Sequence, residues 1–154
     1  MNDTVKKDAE EQFSSLLEGN RTTLTGVQVL FGFLLIFPLQ AGFEKLQGFE
    51  EPLYVVALMS AAIAVVLLVA PSVHQRVRAP FSGVPRRHVQ HVKVGAYLGI
   101  AGSVAALIAL IASTCLALTV IYDNDVAVVL GSVVLILAAW SWFWLPLHTF
   151  RDED

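Results

Sequence analysis

The sequence predicts an all-α integral membrane four-helix bundle, with antiparallel neighbours and both termini cytoplasmic. The first observation is composition: 56% of the 154 residues are hydrophobic and 15% are charged, with a mean hydropathy of +0.67. Soluble domains carry about 25% charged residues. The second is distribution. The apolar residues stand in four long blocks and the charges lie between them, as expected where a charge at the bilayer centre costs several kcal/mol or more. The third is the placement of Lys and Arg, which sets orientation. The formal charge of −3 adds little beside where each sign falls.

In chain order, residues 1–23 form a polar cytoplasmic tail, where Phe13, Leu16 and Leu17 share one face of a short interfacial helix. The transmembrane domain covers 24–147, with spans at 24–43, 53–70, 94–121 and 126–147. None of the four contains Asp, Glu, Lys, Arg or His. Each approaches or exceeds the roughly 20 residues needed to cross about 30 Å of hydrocarbon. Lipid offers the backbone no hydrogen-bond partners, so each block is expected to be helical. The blocks are too long and too evenly apolar for the ~10-residue alternating strands of a barrel. Span one is expected to be an uncleaved helix and not a signal peptide, because an acid-rich tail precedes a long apolar stretch.

The connections 44–52 and 122–125 are short and acidic, with Glu44, Glu50, Glu51, Asp123 and Asp125 against one base, Lys45. The connection 71–93 holds Arg76, Arg78, Arg86, Arg87 and Lys93 and no acid. It is therefore placed in the cytoplasm, where it meets anionic lipid of the inner leaflet. Pro71, Pro80 and Pro85 with Gly83 argue against one continuous helix there. Both termini then face the cytoplasm, consistent with Lys6, Lys7 and Arg21 ahead of span one and Arg151 in the tail 148–154. The expected location is the plasma (inner) membrane. Tyr54, Tyr122 and the cluster Trp140, Trp142 and Trp144 mark headgroup levels.

The polar residues of span one are the first candidates for chemistry. Counted from Leu24 at 1.5 Å per residue, Gln28 lies about 6 Å inside the span, and Gln40 stands as close to its other end. Thr22, Thr23 and Thr25 suit a helix start, where hydroxyls serve free N–H groups. Gln28 shares a face with Gly32 and Leu35, which suits close approach of a second helix more than a transport site. In span three, Gly95, Gly99 and Ser103 are spaced by four, with Gly102 and Ala106 beside them. That small-residue stripe suits packing within the bundle and homo-oligomerisation equally.

His74, His88, His91 and His148 all fall at the predicted cytoplasmic edge. Histidines at one level are weak candidates for a metal or for pH sensing. No acid or cysteine stands near His74, His88 or His91 in sequence, and no metal or other cofactor is expected. The single cysteine, Cys115, lies in an apolar block and reads as a small hydrophobe. The acidic outer residues would concentrate cations at a channel mouth. The spans hold no nucleophile–base pair and no acid for proton relay, and no phosphate-binding glycine loop occurs. The expectation is a non-enzymatic membrane protein that self-associates or accompanies a membrane complex, with no nucleic-acid partner. The alternative is an oligomeric cation channel.

Glu18, Arg21, Thr25-Gly26, Gln28, "LFGFLL" at 30–35 and Pro38, followed by "APSVHQR", resemble a family of small bacterial four-span membrane proteins of unknown function. The resemblance covers residues 18–76 by motif and the rest by architecture. The 71–93 connection is longer than the family pattern. The resemblance implies the four-span fold, brings no activity, and marks Glu18, Arg21 and Gln28 for testing, with Glu18 and Arg21 spaced to pair.

Overall fold

A computed structural model describes residues 3–40, 43–46, 48–81, 89–145 and 148. Helix α1 runs Asp3–Ile36, α2 Glu50–Phe81, α3 Val89–Thr119 and α4 Asn124–Ala139. Four helical stretches, counted with the short turns that continue α1 and α4, are long and apolar enough to cross a membrane: Ser14–Leu39, Glu50–His74, Lys93–Thr119 and Asn124–Trp142. Two short 3-10 turns, Phe37–Leu39 and Phe43–Lys45, lie between α1 and α2, and a π-helical turn, Trp140–Trp144, follows α4.

Two helix ends differ from the sequence expectation. The tail does not form a separate interfacial helix. α1 is continuous from Asp3 into the apolar block, because "DAEEQFSSLLE" is rich in Ala, Glu, Gln and Leu, which favour helix, and lacks proline. The connection after span two is also largely helical. α2 passes through Pro71 and Pro80 to Phe81, and α3 begins at Val89. A proline inside an apolar helix is tolerated where neighbouring groups or local adjustment satisfy the freed carbonyl. His74 and Arg76 therefore stand on α2, and Lys93 on α3.

The start of α2 follows from its sequence. Gly48 takes φ +59°, a left-handed conformation that glycine adopts without a Cβ clash. Glu50 and Glu51 occupy the first turn, where carboxylates favour the positive end of the helix dipole. Pro52 lies where no intrahelical N–H is required. Between α3 and α4 the chain turns tightly, with Tyr122 N–H donating to Leu118 O at 2.8 Å and Ala127 N–H to Asp123 O at 3.0 Å.

The chain divides into two compact units. The first comprises Met1–Phe33 with Ser60–Ala106, and the second Leu34–Met59 with Leu107–Asp154. The first buries Val27, Ala61, Ala64, Leu68, Ala105 and Ala106. The second buries Leu34, Tyr54, Ala57, Ala109, Ala112, Cys115, Leu116 and Ala127, among others. Nine of the sixteen buried apolar residues among those described are alanine. Bulky Val, Leu, Ile and Phe side chains stand outward instead. Lipid is as apolar as leucine, so nothing drives large side chains inward, and close backbone approach through small residues takes over.

Candidate functional site

The small-residue stripe of α3 is occupied within the first unit. Gly95, Gly99 and Gly102 are all buried. A Cβ on Gly99 would stand 2.9 Å from Asn20 Oδ1 and 3.3 Å from Asn20 Nδ2. A Cβ on Gly102 would stand 2.8 Å from Leu68 Cγ and 3.3 Å from Leu68 N. Gly99 thus makes room for the α1 amide, and Gly102 lets α2 approach close to its backbone. Ser103 Oγ donates to Gly99 O at 2.9 Å, so its hydroxyl proton is held by its own helix. Asn20 Nδ2 is shielded from solvent and has no acceptor, an arrangement that costs about 1–3 kcal/mol.

In the second unit, Pro38 sets the local geometry. It has no N–H, so the carbonyl of Leu34, four residues earlier, lacks its helical donor. Tyr54 OH supplies the missing bond, donating to Leu34 O at 3.0 Å in a buried setting. The Tyr54 ring is held by Phe37 at 5.6 Å and Phe43 at 5.3 Å between centroids. Phe43 packs edge-on to Phe37 at 5.9 Å. Tyr54 therefore does more than mark a headgroup level: it closes the end of α1 where proline opens it. The sequence signal was present, as a proline four residues after a span carbonyl and a tyrosine opening the next span.

Cys115 sits against α4. A Cβ on Gly131 would fall on Cys115 Sγ, so the thiol fills the space that glycine leaves. This is the small-hydrophobe role expected of it. Beyond α4, Trp140 stacks on Trp144 at 6.3 Å, and Trp144 meets the His148 ring at 4.6 Å. Trp140, Trp142 and Trp144 are all exposed.

The polar residues of α1 are placed differently. Glu18, Arg21, Thr22, Thr25 and Gln28 are exposed. The threonines do not serve a helix start. Thr22, Thr23 and Thr25 donate to Glu18 O, Gly19 O and Arg21 O at 3.0–3.2 Å. The helix already runs beneath them, so each hydroxyl turns back to a carbonyl four residues earlier. A Cβ on Gly32 would have nothing within 4 Å. Among the described residues, then, nothing fills the space beside Gly32, and Gln28 faces outward. Among the described residues no ion pair joins Glu18 to Arg21.

The histidines do not converge among the described residues. His74 is exposed on α2, and His148 is exposed beside Trp144. His88 and the side chain of His91 lie outside the described residues. Among the described residues no group of three or more His, Cys, Asp or Glu is placed to hold a metal ion. Hydroxyls of α3 and α4 are engaged locally. Ser113 and Thr114 donate to Leu110 O, Thr119 to Leu116 O and Ser132 to Val128 O. Glu44, Glu51, Asp123 and Asp125 are exposed near the ends of the apolar stretches.

Four apolar helices, locally bonded hydroxyls and an alanine-rich interior give this chain the character of a multi-pass membrane protein. The chain belongs to the family of unknown function DUF6328, which matches residues 2–146. That match extends well past residues 18–76, where the motifs lie, and takes in the long middle connection and the last two helices. No curated protein and no solved structure matches the chain.

Proposed function

We propose that this chain is a multi-pass protein of the plasma membrane that acts by association, with copies of itself or within a larger membrane complex, and not by catalysis. Both termini and the Arg-rich connection face the cytoplasm, and the connection contacts anionic lipid of the inner leaflet. The Lys and Arg distribution supports that orientation.

One observation carries the reading. Past Asp125, the outward residues of α4 are mainly Val126, Val128, Val129, Val133, Ile136 and Leu137, the bulky apolar set that lipid tolerates, with Ser132 bonded to its own helix. The outward residues of α1 in its apolar stretch include Thr25 and Gln28 beside Val29, Phe33, Leu35 and Ile36, and the two polar side chains suit a neighbouring protein helix better than hydrocarbon. Native mass spectrometry of the full chain extracted in mild detergent tests it. A homo-oligomer or a mixed complex is the expected result. A lone monomer at every protein concentration would overturn it.

A further inference from the structure

Arg21, Thr25, Gln28 and Gly32 follow one another at intervals of four, three and four, the spacing that keeps residues on a single helix seam. In this chain the seam is uncovered: the first three are exposed, and a Cβ on Gly32 would meet nothing. We propose that α1 pairs along this seam with α1 of a second copy, with the two Gln28 amides hydrogen-bonded to each other. This inference rests on the association reading above and names its partner.

The chemistry favours a second copy as the occupant. A primary amide carries both donors and an acceptor, so it is complementary to itself. Copies inserted with the same topology present α1 in the same direction, and a two-fold axis along the membrane normal brings each seam residue to its counterpart at one depth. Gln28 lies in the apolar stretch that follows Arg21 and is exposed, and an amide left facing hydrocarbon loses its hydrogen bonds to water. Pairing restores them. Gly32, one turn further, brings the backbones close enough for the amides to meet. Glu18 lies three residues before Arg21 and the two do not pair within the chain, so each Arg21 meets the second copy's Glu18.

Single cysteines placed in the full chain in its own membrane, on a Cys115→Ala background, test the seam by oxidative cross-linking. Thr25→Cys and Gln28→Cys are expected to give a covalent homodimer. Gly26→Cys, which points away from the seam, is expected to give none. In a dilution series, Gln28→Leu should weaken the dimer about tenfold, while Gln28→Asn retains it and both keep the thermal midpoint of the wild type. Cross-linking at Gly26→Cys alone, or a Gln28→Leu dimer as tight as the wild type, would overturn the seam. If the wild type still forms an oligomer or a mixed complex in those cases, association stands and only the seam falls. A wild type that stays monomeric removes both.

Discussion

Helices α1 and α3 carry the same kinds of residue and use them in opposite ways. Both interrupt an apolar stretch with glycines and hydroxyls at helical spacing. On α3, Gly99 and Gly102 leave no room for a Cβ, because Asn20 and Leu68 stand there. On α1, Gly19, Gly26 and Gly32 face open space. The most apolar window of α3 is 44% buried and that of α1 is 11% buried. Spacing alone therefore identifies a face suited to close approach and leaves open whether the approaching helix belongs to the same chain. That depends on which way the face turns once the helices are in place.

Substitutions at the two kinds of glycine break or sharpen this comparison. Among single-step substitutions the largest effect is expected for alanine at Gly131, whose added Cβ would land on Cys115 Sγ. Gly131→Ala should cost about 1–3 kcal/mol, read as a lower thermal midpoint in detergent, and Cys115→Ala in the same chain should recover most of it. Next comes the bond that closes α1. Tyr54→Phe removes the donor to Leu34 O and should cost about 1 kcal/mol. Adding Pro38→Ala returns a backbone N–H to that carbonyl and should reduce the loss, a non-additive pair that a double-mutant cycle detects.

The two smallest effects differ in sign. Gly99→Ala meets only the end of the Asn20 side chain, which can rotate, so the cost should stay below about 1 kcal/mol. Asn20→Ala should abolish that cost. Gly26→Ala meets nothing and should stabilise the helix by about 0.5–1 kcal/mol, because glycine loses more backbone entropy on folding. Thermal unfolding of both variants beside the wild type checks the opposite directions.

The four apolar helices were legible in the sequence because exclusion of charge from lipid leaves a long, unambiguous record. Helix ends were not, because helical propensity continues past the membrane edge: α1 begins at Asp3 and α2 reaches Phe81. The stripe Gly95, Gly99, Gly102 and Ser103 was legible as a close-packing face. Asn20 and Leu68, which fill it, were not, since they lie on other helices. Pro38 was legible as a residue of the span-one motif. Its consequence, a carbonyl awaiting the Tyr54 hydroxyl, requires the third dimension. For the same reason the local hydrogen bonds of Ser113, Thr114 and Ser132 could not be anticipated from composition.

The central claim is that α3 turns its glycines into the protein and α1 turns its glycines out. Thermal unfolding of Gly102→Leu and Gly26→Leu, measured side by side in the same detergent, tests it most directly. Gly102→Leu should lose its cooperative transition or melt far below the wild type, because Leu68 occupies the space. Gly26→Leu should melt at or above the wild-type midpoint. Equal losses in the two variants, or a tolerated leucine at Gly102, would contradict the account.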